Sequence, residues 1–136
     1  MSNSDMFSAG DILMARNRKR NAGFHFIIYI EPLDKECFVG SIITTSGKYP
    51  ENIAMEDNFF EKVDENGKKY KIINKNSFLI PAKLIKLENW GPFSKKGRLS
   101  KEGCDFVDQH VGHLEPQIWE DLVKNYRELG TADIDK

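Results

Sequence analysis

Cysteine is scarce. Cys37 and Cys104 are the only two in 136 residues and neither belongs to a CxxC pair, so a disulfide framework and a thiolate metal site have little to build on. No apolar run approaches the roughly 20 residues that a membrane-spanning helix needs. The opening residues, MSNSDMFSAG, lack the charged start and apolar centre of a signal peptide, which gives the expectation of a cytoplasmic protein. There is no glycine-rich phosphate loop after a strand, no HExxH, no His/Cys cluster at metal-ligand spacing and no motif from which a Ser–His–Asp triad can be built. His110 and His113 are three apart, but Gly112 between them suits a helix end better than a metal site, and no cofactor is expected. Nor is there a large excess of one charge. A net charge of −1 argues against a chain coated in cations, though a local basic groove depends on where the charges sit.

What is present reads as one domain. Forty per cent apolar and thirty per cent charged residues is an ordinary composition for a globular chain. Residues 1–9 are small and polar and are expected to be flexible; residues 10–130 form the domain, and 131–136 a tail. Gly10-Asp11 is a turn before a short apolar strand, Asp11–Met14. Arg16 to Gly23 is a cationic loop, and Phe24–Ile30 is continuously apolar apart from His25, as expected of a central strand covered on both faces. Pro32 marks a turn, and Glu36 to Thr45 returns as a third strand, with Gly40 signalling a bulge or bend.

Asn52–Glu56 is a further short strand, Asp57–Lys62 a single helical turn, and Asn66-Gly67 a hairpin turn between Glu61–Val63 and Tyr70–Ile73. Ser77–Leu87 is extended and interrupted by Pro81. Ser100 can cap a helix whose face carries Phe106, Val107, His110 and Val111 and which stops at Gly112. A last helix is predicted from Glu115-Pro116 on the spacing of Leu114, Ile118, Leu122, Tyr126 and Leu129. Several short strands followed by helices, with no helix between strands, imply a mainly β (α+β) fold: a small antiparallel barrel with one or two C-terminal helices as cover.

One constellation carries chemistry. Arg16, Arg18, Lys19 and Arg20 place four cations in five residues, which suits neutralising phosphates. Thr44, Thr45 and Ser46 end the third strand with hydroxyls able to hydrogen-bond a phosphate oxygen. His25 can accept or donate a proton near neutral pH. Metal-free cleavage of RNA needs no more than this, because the 2′-hydroxyl is itself the nucleophile; the protein supplies a proton acceptor, a proton donor and a cation for the developing charge. The same residues also suit a non-catalytic barrel that binds RNA through the basic loop, or a module that binds a protein partner.

The order of these pieces adds a resemblance. Gly-Asp-Ile-Leu, a charged loop, an apolar strand, a strand ending Ile-Ile-Thr-Thr-Ser and, later, Trp90-Gly91-Pro92-Phe93 to Gly97-Arg98-Leu99-Ser100 before an amphipathic helix together resemble the MazF/PemK-type toxin endoribonucleases over residues 9–111. That resemblance implies an SH3-like barrel, a homodimer, cleavage of single-stranded RNA and an antitoxin protein that blocks the groove. The family's strand-end hydroxyl carries over onto Thr44, with Thr45 adjacent. Its arginine before a proline at the start of the second strand has no counterpart, since Phe24-His25-Phe26 stands there. Either His25 takes that place, or Arg20 reaches in from the loop, or the activity is absent.

Overall fold

The computed structural model describes residues 7–15, 25–33, 37–44, 51–70, 76–86 and 93–118, without the side chains of Ala15, His25 and Lys86. The strands among them are β1 (Asp11–Ala15), β2 (His25–Pro32), β3 (Phe38–Thr44), β4 (Ile53–Ala54), β5 (Phe78–Leu79), β6 (Lys83–Lys86), β7 (Ser94–Arg98) and β8 (Pro116–Gln117), with one α-helix, α1 (Lys101–Val111). They form a single sheet in the order β4-β5-β3-β2-β1-β7, with β6 also on β3 and β8 parallel to β6. The mainly β class with a C-terminal helix is as expected from the sequence.

The apolar run in β2 is explained by burial on both faces. Ile27 and Tyr29 enter a core with Leu13, Phe38, Ile42, Ile80, Ala82 and Leu84. Ile28 enters another with Ile12, Ile43, Met55, Leu79, Leu99, Val107 and Val111, while Phe26 and Ile30 pack against it. Successive strand residues point to opposite faces, so two cores require an unbroken apolar string rather than an alternation. The bend expected at Gly40 is present, but the extra residue lies on the facing strand. Tyr29 opposes Gly40 and Glu31 opposes Val39, which leaves Ile30 as the bulge. A Cβ on Gly40 would sit 2.7 Å from both Ile27 Cγ2 and the Ile28 carbonyl oxygen.

Pro81 divides what the sequence suggests as one extended stretch. Ile43 faces Leu79 but Gly40 faces Leu84, so three steps on β3 match five across the break. Ser41 Oγ donates to the Ala82 carbonyl at 2.7 Å, satisfying a backbone acceptor that the irregularity leaves over. The Asn66-Gly67 turn also forms: Gly67 takes φ +81°, the Asp64 carboxylate accepts from the Asn66 and Lys68 amides, and Val63 bridges Lys69.

Three expectations are corrected. The sheet does not close into a barrel: β4 and β7 end the main strand order, and the chain after β4 meets the end of β7 through the Phe60–Leu99 bridge and the Glu61 N–H to Arg98 carbonyl and Ser100 N–H to Phe59 carbonyl bonds, both 2.8 Å. The 3-10 turn Asp57–Phe59 intervenes where a closing ladder would have to run. Ser94–Arg98 was not apparent as a strand, since SKKGR has no apolar alternation, yet it pairs with β1. Pro116 and Gln117, expected to open a helix, lie extended on Lys83 and Leu84; residues 119–130 of that expected helix lie outside the described residues. Phe7 is held beside Tyr29, with ring centroids 6.3 Å apart, and Ser8 turns onto Asp11.

Ser100 seats α1. Its Oγ accepts from the Gly103 N–H at 3.1 Å and donates to the Asn58 carbonyl at 2.7 Å, tying the helix start to the 3-10 turn. Gly103 reads in the sequence as a weakness in the first turn, but it is a close approach: a Cβ there would collide with the Phe59 carbonyl oxygen. Helix propensity alone makes Gly103→Ala stabilising by about 1 kcal/mol. The collision reverses that sign, and urea unfolding should show a lower midpoint for Gly103→Ala with an unchanged slope.

Candidate nucleic-acid interface

β2 and β3 bring two of the predicted site residues, His25 and Thr44, to one end of the sheet. Ala15, the last residue of β1, pairs with His25, the first of β2. Phe26 pairs with Ile43, so one residue further along each strand places His25 opposite Thr44, the last residue of β3. Thr44 in turn faces Phe78, and Phe78 faces Ala54. At about 4.8 Å between neighbouring strands, Ala15 and Thr44 are separated by roughly 10 Å across His25. Thr44 is half-buried.

The segment carrying Arg16, Arg18, Lys19 and Arg20 joins Ala15 to β2, and Thr45-Ser46 follow Thr44 directly; these six residues lie outside the described residues. Backbone pairing thus unites positions 15, 25 and 44, and chain continuity fixes where the cationic segment leaves and re-enters the sheet.

Further cations on β7 were not singled out by the sequence. Asp11 is only 3% exposed. Its Oδ1 accepts from Arg98 Nη1 at 2.6 Å and stands 3.3 Å from Lys95 Nζ, and its Oδ2 accepts from the Ser8 N–H at 2.9 Å. Register explains the meeting. Asp11 faces Arg98, and an irregularity between Ile12 and Leu13 sets Lys95 rather than Lys96 opposite Leu13. One carboxylate is held here between two cations, and Asp64 and Glu65 also act on this corner. Among the described residues, no group of three or more His, Cys, Asp or Glu side chains is placed to hold a metal, and no helix is long and apolar enough to cross a membrane.

Tyr70 completes the corner. The hairpin holds it through its N–H on the Lys62 carbonyl at 3.1 Å, and its hydroxyl is buried with no hydrogen-bond partner among the described residues. Burial raises its pKa above the ordinary 10.0; Lys95 opposes that, while Glu65, Asp64 and Asp11 add to it.

No protein-family model, no characterised protein and no solved structure matches this chain. The site therefore has to be argued from its own residues. A missing charge at Asp11 would leave Arg98 and Lys95 facing each other without a counter-ion. Removing one partner of a fully buried pair costs about 3–5 kcal/mol, but both cations here are about a third exposed, so Asp11→Asn should cost about 1–3 kcal/mol in denaturant unfolding. Tyr70 should ionise late. The stability that rests on its neutral phenol is complete below pH 10.0 and declines as pH rises from there through the raised folded value. An ultraviolet titration of wild type minus Tyr70→Phe should place that transition above 10.0.

Proposed function

We propose that the chain is a metal-independent endoribonuclease of toxin type, acting on single-stranded RNA laid along the edge where β1 ends, β2 begins and β3 ends. The observation that supports this most is the register, which sets His25 opposite Thr44 and beside Ala15, from which the Arg16–Arg20 segment departs. In this reading Arg16, Arg18 and Lys19 neutralise flanking phosphates, and Thr45 and Ser46 hydrogen-bond the backbone. His25 takes the proton from the 2′-hydroxyl as that oxygen attacks the adjacent phosphorus. Arg20 and the Thr44 hydroxyl stabilise the charge that grows on the non-bridging oxygens. The bond to the 5′-oxygen breaks and that oxygen takes a proton, leaving a 2′,3′-cyclic phosphate and a 5′-hydroxyl. No redox partner or metal is required. A toxin of this kind would work in the cytoplasm, as a homodimer, with an antitoxin protein covering the groove.

A second reading, RNA binding without cleavage, is favoured by one feature. The arginine–proline pair of the toxins this chain resembles is absent, and Phe24-His25-Phe26 occupies its place. The two readings share salt-dependent binding and differ in product. Purified protein incubated with single-stranded RNA in EDTA should yield cyclic-phosphate ends. His25→Ala should slow cleavage by about 10²- to 10⁴-fold, the usual range for a lost proton-transfer group. Thr44→Val should slow it as well, both variants remaining folded by circular dichroism. RNA retained by the protein but uncut would establish the second reading; cutting at full rate by both variants would remove these residues from the site.

A further inference from the structure

At the other end of β2, between that strand and the second half of α1, lies a half-open cavity of about 330 Å³. That is the lower end of the range for small-molecule sites. Ile28, Ile30, Leu99, Val107 and Val111 give it an apolar wall. Gly10 keeps it open on the β1 side, because a Cβ there would lie 2.9 Å from Cys104 Sγ. The Ile30 bulge sits on this cavity, and Glu31 beyond it and Asp108 on α1, both exposed, form its mouth.

Lys83 reaches the cavity from β6 and is 9% exposed. Its Nζ donates to the Gly112 carbonyl at the end of α1, at 2.9 Å. That is the one hydrogen bond its ammonium makes among the described residues, out of three donors, and no carboxylate there stands within ion-pair distance. Capping the helix accounts for one donor and for the favourable placement of a cation at a helix C-terminus. It does not account for two further donors on a nearly buried charge beside a cavity, an arrangement that is costly unless something pairs with it.

We propose that this cavity binds a small monocarboxylic acid, the carboxylate on Lys83 Nζ and the apolar body against Ile28, Ile30, Val107 and Val111. The acidic mouth selects the charge. Repulsion from Glu31 and Asp108 grows with each negative charge on the ligand, so phosphates and nucleotides are disfavoured more strongly than a singly charged carboxylate that pairs with Lys83. The site is separate from the RNA edge and does not rest on it. Five steps along β2 separate His25 from Ile30, about 17 Å of extended chain.

Phenylacetate, with phenylacetamide and inorganic phosphate beside it, tests this on the full chain carrying Cys37→Ser. Cys104 lines the cavity, and its thiol is pushed above the ordinary value of 9.0 chiefly by burial, against the nearby Arg98. Its alkylation by iodoacetamide therefore reports occupancy. Saturating phenylacetate should slow alkylation at least tenfold, whereas phenylacetamide or phosphate at the same concentration should change it less than twofold. Lys83→Met should weaken the phenylacetate effect at least tenfold, and Lys83→Arg should retain it in part. Equal protection by the amide, protection by phosphate, no protection by phenylacetate, or full protection in a folded Lys83→Met variant would each overturn the proposal. If Lys83→Met does not fold, the contrast between acid and amide on the parent chain decides by itself.

Discussion

The register of β2 against its neighbours is the constraint on which the rest depends, and hydrophobicity alone does not set it. A strand with one wet face is locked in place because a one-residue slip would turn its apolar side outward. β2 has no wet face over Phe26–Ile30; a slip would exchange one apolar set for another and cost little in burial. The pins are polar and steric instead. Gly40 has no room for a side chain opposite Tyr29, Ser41 Oγ is bonded to the Ala82 carbonyl, and Asp11 must meet Arg98. Slipping β1 past β7 would strand a buried carboxylate, and slipping β2 past β3 would force a Cβ into a carbonyl. The placing of His25 opposite Thr44 follows from the β2–β3 pin, since each strand's end is counted from it.

This explains which features were legible in the sequence. Those carried by a few neighbouring residues were: the doubly covered β2, the Asn66-Gly67 turn, the break at Pro81 and the cap at Ser100. Those that depend on a partner far along the chain were not. β7 is a strand because Asp11, 87 positions away, needs its arginine, and nothing within SKKGR announces that. Pro116 suits the first turn of a helix by local rules, but an open position beside Lys83 on β6 draws it into the sheet. His25 and Thr44 could be proposed together because each stands at the end of a strand that could be read. The cluster of Asp11, Lys95 and Tyr70, which includes the opposite end of β1 from Ala15, was not legible, since Tyr70 arrives on a hairpin and Lys95 through a register irregularity.

Among the described residues two charged side chains, Asp11 and Lys83, are buried, and they are provided for differently. Asp11 has an arginine, a lysine and a backbone N–H on its two oxygens. Lys83 has one carbonyl. β6 reads Lys83-Leu84-Ile85-Lys86, and Lys83 is buried where its Nζ reaches the end of α1. Buried charges add little to stability even when paired, and less when they are not. A methionine would fill the same space beneath the helix end without the desolvation penalty, so burial by itself gives no reason for an ammonium at this position. The difference between Asp11 and Lys83 is therefore one of role. Asp11 is a closed knot that fixes strand register, whereas Lys83 retains donors beside an open cavity, and a charge held that way is matched by a ligand of opposite sign rather than by the fold.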